Sequence, residues 1–301
     1  MRVCFIGCVE FSDYALQKVL ELEKSGFCEV VGVITKSGSS FNSDFVDLGE
    51  RSVKSGKAES CVHYYKDEAS TINFLNEVHP DVIYCFGWST LLTRSTLSIP
   101  LKGVIGFHPA KLPENRGRHP IIWALSLGLT ETASTFFKMD EGADSGPILS
   151  QKSVPILESD NARSLYDKVV EIALEQIEEF TQELSANSEI FIEQEHSLAN
   201  YWRKRSSKDG VIDWRMDATS IHNLISALSK PYPGAEFHLG EAKVYKIWSS
   251  TVDPESAPVN FEPGKVLNND SGRLLVKCGG NTALWLNEVE PKLQLQSNAY
   301  L

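Results

Sequence analysis

The residues best suited to chemistry are one histidine and one aspartate. His108 follows the run Gly103-Val104-Ile105-Gly106-Phe107 and opens a Pro-rich, basic loop that includes Lys111, Asn115, Arg116, Gly117, Arg118 and His119. Asp144 lies in Met139-Asp140-Glu141-Gly142-Ala143-Asp144-Ser145-Gly146, just after the apolar run Thr135-Phe136-Phe137-Lys138. An imidazole titrates near neutral pH, and a carboxylate beside it favours its protonated form and fixes its tautomer. Such a pair can take and give protons. Gly142 and Gly146 suit a tight loop that comes close to a ligand. The residue types alone also fit a plainer reading, with His108 as a structural side chain after a strand and Asp144 as a turn or cap residue.

These side chains need elements to hold them. The first third alternates short apolar runs, at 3–6, 29–35, 82–85 and 103–107, with helical stretches near 14–22 and 72–78. That order predicts an α/β fold, a Rossmann-like doubly wound parallel sheet. Ligands of such a sheet bind beyond the carboxyl ends of its strands, which is where His108 falls. The Gly/Ser-rich stretch 37–42 reads as a mobile loop. Residues 160–185 carry the longest helical stripe, with Leu165, Val169, Ile172, Ile177, Phe180 and Leu184 on one face. Residues 201–209 are polar and basic and read as an extended linker. A short helix at 220–228 and five short strands between 235 and 286 then predict a small OB-like β-barrel. The expected domains are 1–200, catalytic, and 201–301, linker and barrel. Exposed barrel strands could pair across a two-fold axis in a homodimer. The tail 291–301 is expected to be loosely held.

Composition narrows the function. The chain has 301 residues, 42% hydrophobic and 23% charged, as in an ordinary globular protein. No apolar run is long enough for a membrane span, and the apolar start is too short for a signal peptide. A net charge of −11 and a pI near 5.2 argue against nucleic acid as a partner. Six cysteines without paired metal spacing read as reduced thiols of a cytoplasmic protein, with no metal site. The first strand is followed by Gly7 alone, where a dinucleotide turn needs three glycines, so a nicotinamide or flavin site is not expected.

The stretch from Gly103 to Gly146 resembles the folate-dependent formyltransferases. So do Phe5 to Ser12, Asp209-Gly210-Val211-Ile212-Asp213-Trp214, Ile221-His222-Asn223 and Lys230-Pro231-Tyr232-Pro233-Gly234-Ala235. The resemblance covers nearly the whole chain. It implies transfer of a formyl group from 10-formyltetrahydrofolate to an amine. It implies His108 as general acid/base, with Asp144 raising its pKa. Thr90, Leu91 and Leu92 fall on the family's folate loop, and Arg118, Asp140, Glu141, Gly142 and Ala143 on its other cofactor contacts. One departure stands out. The family's asparagine two residues before the histidine is Gly106 here, which has no side-chain donor. Asn115, on the same loop as His108, is the candidate replacement, with His119 behind it. A turn residue is an equally open reading of Asn115.

Substrate class follows from charge and motif wording. Residues 206–301 hold nine Lys/Arg against eleven Asp/Glu, whereas a tRNA-binding domain should be positive. The basic cluster Arg203-Lys204-Arg205, near Lys208, suits a diphosphate better than a long backbone, or is a solvated linker. Arg116-Gly117-Arg118 and the Ser229-to-Gly234 stretch resemble the sugar-nucleotide branch of the family. The expected substrate is a nucleotide-linked 4-amino-4,6-dideoxy sugar used in surface polysaccharide biosynthesis, with Trp88, Trp123, Tyr201 and Trp202 available to pack on a ring. The competing readings are a methionyl-tRNA or other small-amine formyltransferase and a non-catalytic folate- or nucleotide-binding relative.

Overall fold

The computed structural model describes residues 1–38, 44–240, 243–293 and 295–301. Residues 39–42 of the Gly/Ser-rich stretch lie outside the described residues. The chain runs through β1 (Arg2–Ile6), α1 (Glu10–Lys24), β2 (Glu29–Thr35), α2 (Leu48–Lys54), β3 (Val62–Tyr64), α3 (Glu68–Val78), β4 (Val82–Cys85), α4 (Arg94–Leu97) and β5 (Val104–His108). It continues with β6 (Arg116–Gly117), α5 (Pro120–Ser126), β7 (Glu131–Lys138), β8 (Ile148–Pro155), α6 (Ala162–Ala186), β9 (Tyr201–Trp202) and α7 (Ala218–Ala227). Five strands follow: β10 (Ala235–Leu239), β11 (Lys243–Val252), β12 (Val266–Asp270), β13 (Arg273–Lys277) and β14 (Ala283–Glu290).

Two compact units divide the chain. The first comprises residues 1–117, 133–154 and 168–201. The second comprises 118–132, 155–167 and 202–301, so the chain passes between them more than once rather than at a single cut. Helix α5 belongs to the second unit, where it packs on α7.

The first unit is built on a seven-stranded sheet in the order β3-β2-β1-β4-β5-β7-β8. Strands β1 to β5 pair in parallel, and β7 runs antiparallel to β5. Strands β1, β2 and β4 are buried nearly throughout, which is why they read as unbroken apolar runs. Tyr84 at the centre hydrogen-bonds Thr181 of α6 at 2.9 Å, and Phe86, Phe136 and Phe180 stack around it. The sequence-predicted β1, β2, β4, β5, α1, α3 and α6 are all present. Helices α2, α4 and α5 and strands β3, β6, β8 and β9 are additions. All six cysteines are free, and all but Cys61 are buried. Burial pushes the Cys85 thiol up to about 12.

The second unit carries an antiparallel sheet in the order β10-β11-β14-β13-β12. Its alternating burial along β11 and β14 is the pattern of strands with one covered face. The tail differs from expectation. Val266 donates to Ala299, Asn298 to Val266 and Leu301 to Gly264, and Leu293 is buried. Main-chain hydrogen bonds to β12 and to the turn before it hold the last residues in place.

Candidate active site

Strand β5 delivers His108 to the carboxyl end of the parallel sheet, opposite Thr135 of β7. The loop that follows is pinned at its root. Thr135 Oγ1 donates to Ala110 O at 2.7 Å, and Gln151 Nε2 donates to Leu112 O at 2.9 Å. The loop then turns back at Asn115, which holds φ +64°, a left-handed conformation that asparagine tolerates better than most residues. That turn places the Asn115 carbonyl 2.8 Å from His108 Nε2. The Asn115 N–H is taken by Asn200 Oδ1 at 2.7 Å.

Asp144 stands on the other side of the ring. Its Oδ2 lies 3.7 Å from His108 Nδ1 and accepts the Gly117 N–H at 2.8 Å. Both ring nitrogens of His108 therefore face acceptors. The Asn115 carbonyl is at hydrogen-bonding distance, whereas the Asp144 carboxylate faces the buried ring at an ion-pair distance.

At position 106 the asparagine that the resemblance expects would fit only if neighbouring side chains moved. A Cβ on Gly106 would meet Met139 Cγ at 2.8 Å and Phe137 Cζ at 3.1 Å. Met139 instead packs against the apolar cluster of Cys4, Ile6, Ile83 and Val104. Asn115, the candidate replacement, touches His108 through its main-chain carbonyl.

The other predicted contacts fall in several places. Asp140 Oδ1 accepts from Gly142 N at 2.9 Å and from Ser145 Oγ at 2.7 Å, which closes the turn that carries Glu141, Gly142 and Ala143 towards Asp144. Glu141 pairs with Arg94 at 3.4 Å in the open. Thr90 accepts from Lys36 Nζ at 3.2 Å, and the same ammonium lies 4.6 Å from the Trp88 ring centre. Leu91 is 86% exposed, while Leu92 and Trp88 pack on the cluster that also holds Met139. The Trp88 Nε1 donor is buried and has no acceptor among the described residues.

Arg118 belongs to the second unit, with His119, Trp123 and the basic cluster. Arg203 is bound by both oxygens of Asp209, which holds that carboxyl well below the usual range. Arg205 lies 4.6 Å from the Trp123 ring centre, and its N–H reaches His119 Nδ1 at 3.4 Å. The Trp123 ring is thus covered by Arg203 and Arg205 and stacks with Trp202. Burial pushes the His119 pKa down, and Arg118, Arg205 and Lys204 push it further. No group of three His, Cys, Asp or Glu side chains suited to a metal occurs among the described residues, and no helix is long and apolar enough to cross a membrane.

Sequence reading took Arg116 only as part of a basic motif and passed over Gln194. Arg116 is fully buried and binds Gln194, 78 positions away. Neither spacing nor periodicity joins two polar residues so far apart. A bulky cation inside a Pro-rich loop was the one available hint.

Residues 1–180 match the family model described as formyl transferase, and residues 204–300 match formyl transferase, C-terminal domain. The chain is 32% identical over 294 residues to a methionyl-tRNA formyltransferase of Caldanaerobacter subterraneus subsp. tengcongensis, covering 96% of this chain and 92% of the relative. It is 34% identical over 259 residues to the bifunctional polymyxin resistance protein ArnA of Wigglesworthia glossinidia brevipalpis, covering 85% of this chain and 38% of that one. Its fold is similar to the solved N-formyltransferase from Helicobacter canadensis, in complex with folinic acid and dTDP-3-aminofucose. That match has a TM-score of 0.72 at 17% identity and covers 94% of this chain and 98% of the other.

Proposed function

The chain belongs to the formyl transferase family, and from that premise we propose that it moves a formyl group from 10-formyltetrahydrofolate to the amine of a nucleotide-linked 4-amino-4,6-dideoxy sugar. The observation that carries the chemistry is the buried His108 ring, held between the Asn115 carbonyl and the Asp144 carboxylate. Residues 88–92 fit the folate. They offer an exposed apolar side chain at Leu91, in a segment whose Thr90 is steadied by Lys36. When bound, 10-formyltetrahydrofolate supplies an activated formyl group.

The protein residues handle the proton and the charge. His108 takes the proton that the attacking amine sheds and returns one to the nitrogen that leaves, so one C–N bond forms as another breaks and no proton is lost. Asp144 holds the ring in one orientation and stabilises the charge it gains. Asn115 supplies the neutral donor to the formyl oxygen that Gly106 cannot, and the amine takes the place at Nε2 that the Asn115 carbonyl now fills.

For the acceptor, the support is a compact cationic locus in an acidic chain. Arg118, Lys204 and Arg205 gather around His119, a size suited to one diphosphate. The dTDP-aminosugar complex of the Helicobacter canadensis protein agrees in class. A second reading, initiator tRNA as acceptor, is favoured by the 32% identical relative.

One assay separates them. Protein, 10-formyltetrahydrofolate and a panel of UDP-, dTDP- and GDP-linked amino sugars are incubated and followed by mass spectrometry. Gain of one formyl group on a panel member is the expected result. No gain on any sugar, with salt-sensitive formylation of charged initiator tRNA, would replace this reading by the second. Folate binding without any turnover would leave a non-catalytic relative.

A further inference from the structure

Three consecutive residues do three jobs around His108. Asn115 sets its carbonyl on the ring, and Gly117 sets its N–H on Asp144. Arg116, between them, buries its guanidinium, which is 2% exposed. None of its hydrogen-bond partners is a carboxylate. Gln194 Oε1 lies 3.2 Å from Nε and 2.6 Å from Nη2, Tyr201 Oη lies 3.0 Å from Nη1, and His196 Nδ1 lies 3.0 Å from Nη2. A buried cation that carries only donors dictates how its neighbours lie. The Gln194 amide can meet it only with its oxygen.

The far end of that amide is then committed. Gln194 Nε2 donates to Asp144 O at 3.0 Å and to Gly146 O at 2.6 Å. Asp144 sits at φ +54°, in the left-handed region that most residues with a side chain avoid and that aspartate and asparagine enter more readily. The same residue brings its carboxylate to His108. The guanidinium also polarises the amide and strengthens its N–H groups as donors.

We propose that Gln194, oriented by Arg116, is a positioning residue for Asp144: it clamps the peptide of the left-handed turn so that the carboxylate stays beside His108. The proposal rests on the reading of His108 and Asp144 as the proton-handling pair. Arg116 acts one step further back, through Gln194.

The test uses Gln194→Glu in the full chain. That variant keeps an acceptor for Arg116 and loses both donors to the Asp144 turn. A role limited to satisfying the buried arginine survives it, and the clamp does not. The expected result is a folded protein that melts within about ten degrees of the wild type, the new ion pair with Arg116 offsetting part of the loss of two donors. With it, kcat falls about tenfold to a hundredfold, and KM for each substrate stays within about threefold. Amide exchange across residues 140–146, read by mass spectrometry without substrate, rises about fivefold or more.

Wild-type exchange in that segment overturns the proposal, and so does raised exchange with an unchanged kcat. If Gln194→Glu does not fold, Gln194→Met, of similar shape and without either polar end, is read by the same exchange measurement. Unchanged exchange there overturns the proposal, and a rise confined to the turn supports it. Failure of the functional reading looks different, as a wild-type protein that formylates nothing while the exchange comparison still decides on the clamp.

Discussion

Two histidines eleven residues apart in the sequence have opposite surroundings. His108, in the first unit, has an acceptor at each ring nitrogen, the Asn115 carbonyl and the Asp144 carboxylate. His119, in the second unit, has lost solvent and gained Arg118, Arg205 and Lys204, all of which lower its pKa. One ring lies between two acceptors, and the other lies among cations. On the proposed reading the same side chain, in the same Pro-rich loop, serves in one place as the proton carrier and in the other beside a bound anion, according to what faces it.

The contrast breaks most directly at the rings. His108→Asn should lower formyl transfer by about a thousandfold, whereas His119→Asn should leave kcat within about threefold at saturating substrate. Single-turnover mass spectrometry reads both, and equal losses would erase the distinction. Next comes the acceptor at Nε2. Asn115→Ala and Asn115→Gly should each lose about a hundredfold if the side-chain amide is the neutral donor. Glycine keeps φ +64° without strain, so near-normal turnover in Asn115→Gly would reduce Asn115 to its carbonyl.

A third substitution asks whether the missing asparagine can be put back. Gly106→Asn should destabilise the protein by about 1–3 kcal/mol, because the new side chain runs into Met139 and Phe137. Urea unfolding measures it, and adding Met139→Ala should recover part of the loss. A Gly106→Asn variant as stable as wild type would show that the space is freer than the contacts indicate. The smallest effect concerns His119. A diphosphate among Arg118, Lys204 and Arg205 would lift the depressed pKa back towards 6.5, so binding takes up a proton. Affinity for the nucleotide sugar should then rise roughly twofold to fivefold as pH falls from about 7.5 to about 5.5. Calorimetry across that window, with His119→Asn as the flat control, checks the sign. A pH-independent affinity in the wild type would remove His119 from the anion site.

Much of the fold was legible because burial writes itself into local pattern. Strands β2 and β4 are apolar on both faces and show as unbroken runs with clear ends. Strand β8 was not legible, since its Ser150, Gln151, Lys152 and Ser153 form no apolar run, and only its place beside β7 makes it a strand. Helix α5 was hidden by position, since it starts with Pro120 directly after a loop read for its chemistry. At the site, His108 and Asp144 stood out by residue type and glycine flanks. Gln194 did not, and Arg116 did so only as part of a basic motif, because their pairing is a contact between distant segments. The basic cluster was visible as charge, but its cancellation at Arg203 by Asp209 was not.

The ordered tail has a consequence for association. Strand β12 stands at the end of its sheet, where unpaired peptide groups would invite another chain. Ala299 and Asn298 occupy Val266, and Leu301 occupies Gly264, so the chain shields the beginning of that edge with its own last residues. A strand from a second copy could pair with this stretch only by displacing residues 298–301.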